Sequence, residues 1–571
     1  MGWALRSRKQ RDWLTALGLV ALVFIEWGLA YHLFSDRKWS DPLSYWGDAQ
    51  FSAAVVASAA RGEYLPFLSK ELPSLGAPFV ASWNDFPMTE EVLYFLVGTV
   101  ARFTGVFLAI NLGLVLASML AALSFFFVAR RFHLSRPYSF MGGVLFGLAP
   151  YIFYRGVHHY SLSFYFVIPW QVLVCAWLAS RKGVAFGTRR FTVSALVLVG
   201  SAWSMVYFYF FGLQLWALGF VTHLIRRGKQ AQSRAALALF GLALVAGLLV
   251  NLDSLLWVVK HGPNGAAVVR SRNDVEQYAL KTIDMLMPGG HHRFAAGRVA
   301  ATQVAATRVT SGEAPSPYLG VLGGLSLLSL LGYGFVSLVR RRVDLPATWA
   351  LMVVWLIVFH TVGGGNSLFG VFGATMLRSV NRVSILVFVY ALLFAAWALP
   401  RWLSRVPTPA RWGLAVTLAI LGSWEAIPMD ATPDSVAHDH RLAEADRQLV
   451  TQAEAALPPG ARVFQLPPMH FPESPAAGLE AYELFRPYFF SKHLVYSFGD
   501  VKGRPNANWK FEVAARPLPE LFAELKRQGF SAVYVNFKAY GGPGVLDQLK
   551  GAGGTVIAVS QAQDSAFLRL P

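Results

Sequence analysis

Tyr45-Trp46-Gly47-Asp48-Ala49-Gln50-Phe51 lies inside the stretch that decides the fold, Ser35 to Glu91. That stretch is rich in Trp, Pro, Gly and acids, and it carries Asp36, Asp41, Asp48, Glu63, Glu71, Asp85, Glu90 and Glu91, eight of the chain's 32 acids. It is far too polar to sit in lipid. A long apolar run precedes it and further apolar runs follow. It therefore reads as a large loop outside a bilayer, with ionisable groups held at the membrane surface.

The rest of the chain supports that setting. Of 571 residues, 55% are hydrophobic and 14% charged, and the mean hydropathy is +0.44. A soluble chain needs about a quarter of its residues charged to clothe its surface. Apolar runs of about 20 residues closed by Arg or Lys read as membrane spans. Eleven are expected: about Leu14–Phe34, Val106–Val128, Tyr138–Phe153, Leu162–Ala179, Thr192–Val206, Phe208–Ile225, Ala235–Val258, Leu319–Leu338, Ala347–Val362, Val383–Leu399 and Trp412–Trp424. Their inner ends carry basic clusters: Arg6, Arg8, Lys9 and Arg11; Arg130, Arg131 and Arg136; Arg181, Lys182, Arg189 and Arg190; Arg226, Arg227 and Lys229; Arg340 to Arg342; and Arg401, Arg405 and Arg411. The positive-inside rule then puts the N-terminus in the cytoplasm and the loops 35–91 and 260–318 outside. The net charge of +18 is spent on these anchors, which argues against a nucleic-acid partner. The first run is too long for a cleaved signal peptide and reads as a retained anchor. A single cysteine, Cys175, excludes a disulfide framework and a cysteine-based metal site.

Near Pro428 the composition changes to acids, prolines and short alternating apolar runs. Residues 462–466 and 532–536 read as strands, Leu518 to Gly529 as a Gly-capped helix, and 555–559 with 565–570 as a hairpin. A small α/β domain over 428–571 is expected, outside the membrane because the spans are odd in number. The domains are then a membrane part, 1–427, and this soluble part.

Several residues are candidates for chemistry. Asp48, soon after the first span, can take a proton from a hydroxyl or hold a divalent ion, Mg or Mn, against a phosphate; a helix-capping Asp is the plain alternative. Asp85, in Trp83-Asn84-Asp85-Phe86, is a second carboxylate of the same loop. Glu90 and Glu91 suit the first turn of a helix. His158 and His159 fill the short outer loop between the third and fourth spans, and adjacent side chains diverge too far to share one metal. Arg270, Arg272, His292 and Arg293, in the second outer loop, are placed to grip a phosphate, which guanidinium matches in bidentate geometry. Arg378 and Arg382 lie on the outer side against the positive-inside bias, and anion binding is a reason for them to be there. His438-Asp439-His440 reads as a loop with weak metal-site spacing.

The long first loop with Asp48, the aromatic outer turn Tyr207 to Phe211, the loop Tyr278 to Pro288, the stretch Arg378 to Arg382 and the α/β tail together resemble the GT-C superfamily of membrane glycosyltransferases, in particular bacterial members with a periplasmic C-terminal domain. The resemblance implies a polyprenyl-phosphate sugar donor, a glycan or lipid acceptor of the cell envelope, and transfer with inversion. It makes Asp48 the general base or the metal-associated acid, in the bacterial cytoplasmic membrane. The chain lacks the Trp-Trp-Asp signature of oligosaccharyltransferases, which argues against peptide N-glycosylation. A transporter or flippase of a lipid-linked saccharide is the competing reading. It is disfavoured because polar groups gather in the outer loops rather than in mid-membrane. A scaffold that binds envelope polymer without turnover is a third.

Overall fold

The computed structural model describes residues 8–35, 37–86, 88–226, 229–308, 312–429 and 433–571. Arg6, Asp36 and Arg227, named above, lie outside them.

The chain is a polytopic helical membrane protein with a small sheet at its C-terminal end. Among the described residues, seven helical stretches are long and apolar enough to cross a membrane: Lys9–Ala30, Val106–Arg131, Tyr160–Ala179, Val206–Ile225, Gln230–Val250, Gly320–Val339 and Val380–Trp402. The other four expected spans fall on the helices Arg136–Gly147, Arg189–Ala202, Leu345–His360 and Thr408–Ala426.

Val380–Trp402 and Tyr160–Ala179 are buried at the centre of the bundle, whereas Lys9–Ala30 and Gly320–Val339 show apolar side chains such as Leu17, Leu29, Phe335 and Leu338 outward. In lipid such helices associate by close packing rather than by the hydrophobic effect, so small residues gather at their contacts. A Cβ on Gly147 would meet the Cβ of Ala122 at 2.7 Å and the carbonyl oxygen of Ser118 at 2.8 Å, which is how Arg136–Gly147 lies against Val106–Arg131. At the opposite end of Arg136–Gly147, Asp12 joins Arg136 at 2.7 Å and Arg130 at 3.2 Å, gathering the termini of three helices.

The first long loop is not irregular throughout. It folds into the helix Asp48–Ala60 and a two-stranded hairpin, β1 (Glu71–Leu72) and β2 (Ala81–Ser82), and leads into the helix Glu91–Thr104. Buried Lys70 holds it together: its ammonium reaches Glu91 at 2.6 Å and Asp253 at 2.7 Å.

The C-terminal sheet is mixed. Its strands are β3 (Arg462–Leu466), β4 (Val495–Tyr496), β5 (Phe530–Asn536), β6 (Thr555–Val559) and β7 (Ser565–Arg569), in the order β4-β3-β5-β7-β6. β3 runs parallel to β4 and β5; β7 is antiparallel to β5 and β6. Side chains alternate between its faces. Val463, Ala532, Tyr534 and Phe567 face the core shared with the bundle, while Phe464, Val533, Val535 and Leu568 form a second core under the helix Leu518–Arg527. One core therefore runs unbroken from bundle to sheet. The first loop is stitched to the same end: Trp83 donates from Nε1 to the Gly499 carbonyl at 3.0 Å, and Ser58 and Tyr488 share a hydrogen bond of 2.9 Å. His438, Asp439 and His440, expected in a loop, belong instead to the helix Pro433–Ala456, where His440 pairs with Asp41 at 2.9 Å.

Candidate functional site

Asp48 is the first residue of the helix Asp48–Ala60, and two features fix its position. Gly47 before it takes φ +57, in the left-handed region that favours glycine. Tyr45 is buried, and its hydroxyl donates to Asp446 at 2.7 Å. Asp446 in turn takes two hydrogen bonds from buried Arg486, at 2.7 and 2.8 Å. Behind Asp48 the helix is an almost continuous buried run of small residues, Ala49 to Ala59. The carboxylate thus stands on a rigid element braced by the C-terminal domain.

The Asp48 side chain is open to solvent, yet protein mass surrounds it, as at the mouth of a recess. This enclosure is the main cause of a pKa raised to about 6. Nearby Glu473 and Glu313 push it the same way, and Arg382 and Arg378 oppose them. So the carboxylate is charged at neutral pH but basic for its type.

The cations of the recess come from distant parts of the chain. Arg382, on the turn Val380–Val383 that opens the central helix, lies 2.8 Å from Glu313 and stacks 4.4 Å over the Tyr207 ring. Arg155 ends the short helix Pro150–Arg155, is fully buried, and lies 2.8 Å from the other oxygen of Glu313. Burial would raise the pKa of Glu313, but Arg155 and Arg382 pull it well below the ordinary carboxylate range. Arg378 sits over Tyr278 at 4.7 Å and 3.8 Å from Asp274. Arg270 grips Glu473 through both nitrogens at 2.6 Å, closing the second outer loop onto the C-terminal domain. His158 and His159 are held neutral, chiefly by burial, with pKa values lowered to about 4 and about 3. His158 bonds Ser44 at 3.0 Å, and its ring packs 4.2 Å from that of Trp46.

Asp48, Arg378, Arg382, Arg270, His158 and His159 therefore gather at one end of the bundle. The other candidates do not join them. Both oxygens of Asp85 are taken by Arg504 at 2.7 Å, and Asn264 adds a bond at 3.3 Å, so Asp85 clamps the first loop to the C-terminal domain instead of sharing a site with Asp48. Burial raises its pKa, but those bonds outweigh it and hold it low. His292 is buried against Glu425 at 2.7 Å, and Arg293 stacks on Trp424 at 5.1 Å, so both fasten the second outer loop to Thr408–Ala426. Arg272 lies exposed at the start of the helix Arg272–Gln277.

Arg155, Glu313 and Glu473 are members of the cluster that reading the sequence missed. Arg155 is a basic residue in a loop expected on the outer side, the signal that singles out Arg378 and Arg382, whereas nothing local marks the two glutamates. Among the described residues no three His, Cys, Asp or Glu side chains stand close enough to hold a metal ion.

A groove of about 1360 Å³ runs along the bundle toward the end that holds the recess. Trp13, Phe127, Phe164, Trp170, Val197 and Gly200 line its apolar length. Arg130, Arg131, Arg189 and Arg190 stand at one end, and Glu90, Ser161 and Ser204 at the other. Glu90 lies within the field of Arg382, and Tyr94 within that of both Glu90 and Asp48.

No family model and no curated protein sequence matches the chain. Among solved structures it is similar to ArnT from Cupriavidus metallidurans bound to undecaprenyl phosphate, with 12% identity and a TM-score of 0.51 over 97% of this chain and 98% of that one. The Archaeoglobus fulgidus oligosaccharyltransferase in its apo form aligns at 10% identity and a TM-score of 0.45, over 95% of this chain and 73% of that one. The first likeness runs the length of both chains and takes in the helical bundle as well as the sheet: this chain has the GT-C fold.

Proposed function

We propose that this protein is a membrane glycosyltransferase. It moves a sugar from a polyprenyl-phosphate donor to a glycan or lipid acceptor at the outer face of the bacterial cytoplasmic membrane, with inversion. The observation that carries this reading is the meeting of Asp48, Arg378 and Arg382 in one recess, at the end of the bundle where an apolar groove reaches Glu90, a neighbour of Arg382. The groove suits a polyprenyl chain, and the arginines of the recess suit the phosphate. The undecaprenyl phosphate bound to the similar ArnT supports the same donor class.

In this mechanism the donor phosphate rests among the guanidinium groups of Arg382 and Arg378. They stabilise the charge that grows on it as the bond to the sugar breaks. Asp48 accepts the proton of the acceptor hydroxyl as that oxygen attacks the anomeric carbon from the face opposite the phosphate. A base of pKa about 6 is mostly ionised at neutral pH and still able to take the proton. Residues 428–571 form an extracytoplasmic domain that covers the acceptor side, bringing Glu473 and Tyr482 to the recess.

Membranes carrying Asp48→Asn, supplied with a labelled lipid-linked donor, test the assignment. General-base loss predicts a fall in transfer of about 100-fold or more. Full turnover by a folded variant removes Asp48 from the role. Label that crosses the membrane without joining any acceptor would replace the enzyme with a flippase.

A further inference from the structure

Glu313 is an imperfect partner for the two arginines it bridges. Its two oxygens serve one guanidinium each, at 2.8 Å from Arg155 Nη1 and 2.8 Å from Arg382 Nη2. The Arg155 contact has ion-pair distance but lacks hydrogen-bond alignment, and both of its atoms count as unbonded. Arg155 Nε, Arg382 Nε and His159 Nδ1 are likewise buried without a hydrogen-bond partner. Buried guanidinium donors are normally satisfied, because an unmade bond in a low-dielectric site is costly. Arg155 is wholly buried, yet one of its remaining bonds is a long one, 3.4 Å to Asn381.

The residues that carry these unpaired atoms surround Glu313, whose two oxygens meet only one guanidinium nitrogen each. A sugar phosphodiester sets two non-bridging and two ester oxygens in a tetrahedral array, and two arginines match it well. The charges also balance. A sugar phosphodiester carries one negative charge, as does Glu313. Exchanging one for the other never leaves the buried arginines without a counter-ion, the state that costs most. Glu313 stands on the loop before Gly320–Val339 rather than within a helix, so its side chain can leave without unwinding an element.

We propose that Glu313 is a placeholder anion: it occupies the phosphate seat of Arg155 and Arg382 between turnovers, and the donor phosphate displaces it. Arg155 then belongs to the phosphate site alongside Arg382. Donor binding becomes an anion exchange, weaker than it would be without the competing carboxylate, and the return of Glu313 helps to expel the product. The inference rests on the lipid-phosphate reading above.

Dodecyl phosphate, with dodecanol as the uncharged control, is the probe; the assay is binding to the purified full chain in detergent. Glu313→Gln is expected to bind dodecyl phosphate about tenfold more tightly than the unaltered protein. Arg155→Gln and Arg382→Gln are expected to lose that preference over dodecanol. A folded Glu313→Gln that binds no more tightly overturns the proposal, because Glu313 is then only a structural counter-ion. If that variant does not fold, Glu313→Asp decides. Its shorter arm cannot span both arginines, so tighter binding supports the placeholder and unchanged or weaker binding overturns it. If the unaltered protein itself does not prefer dodecyl phosphate to dodecanol, the lipid-phosphate reading fails and takes this one with it. Failure of the tighter binding alone leaves that reading standing.

Discussion

Transfer should fade with acid along the titration of Asp48, and the position of that limb should answer to the charges around it. With its pKa raised to about 6, the carboxylate is about nine-tenths ionised at pH 7 and about one-tenth at pH 5. The rate kcat/KM should therefore be half-maximal near pH 6 and fall about tenfold for each further unit. Removing the negative neighbour with Glu473→Gln lowers the pKa of Asp48 and moves the limb to lower pH. Removing the positive neighbour with Arg378→Gln raises it and moves the limb up. Acid unfolding through Asp48 cannot imitate this. A carboxyl whose folded pKa lies above its unfolded value gains stability as pH falls through the folded pKa, so Asp48 itself strengthens the fold while the rate drops. The assay is initial transfer rate from pH 4.5 to 8, with circular dichroism at each pH. A limb at the ordinary carboxylate position near 4, or one that neither substitution moves, refutes the assignment of the base.

Two further outcomes follow from the packing. Gly200 lines the groove, and nothing lies within 4 Å of where its Cβ would be, so a side chain there starts in open space and Gly200→Trp narrows the groove. It should raise KM for a long-chain donor about tenfold, or about 1.4 kcal/mol, and change KM for a short-chain donor little; kinetics with both chain lengths check this. Arg504→Met leaves the nearly buried Asp85 carboxylate unpaired at the seam between the first loop and the C-terminal domain. The cost should be about 3 kcal/mol, seen as a lower Tm at pH 7. Because the pKa of Asp85 is held low by Arg504, the gap between variant and unaltered protein should narrow as pH falls below the ordinary carboxylate pKa.

The helical scaffold was legible because its signals are local. Each apolar run and each closing arginine cluster is contiguous, and lipid allows a run of that length few forms other than a helix. The sheet was legible for a similar reason: alternation marked 462–466 and the final hairpin, and Gly529 marked the end of a helix. The same locality explains the errors. The face that Pro433–Ala456 buries rests largely on small residues such as Ala443 and Ala453 and is interrupted by Asp446, so His438 to His440 read as loop. Asp85, His292 and Arg293 carry the right charges, but whether a charge serves chemistry or a clamp depends on its partner, and Arg504, Glu425 and Trp424 lie far off in sequence.

The amino-acid order alone determined that this chain crosses a membrane many times, carries acids in its first loop, and ends in a small α/β unit, since hydropathy and charge act over one or two turns of chain. Tertiary structure alone decided which ionisable groups share a recess. It joined Asp48 to Glu473 across the interface with the C-terminal sheet, and it set Glu313 between Arg155 and Arg382. Electrostatic interaction falls with distance through space, whatever the separation along the chain, so only the packed fold gives those side chains their chemistry.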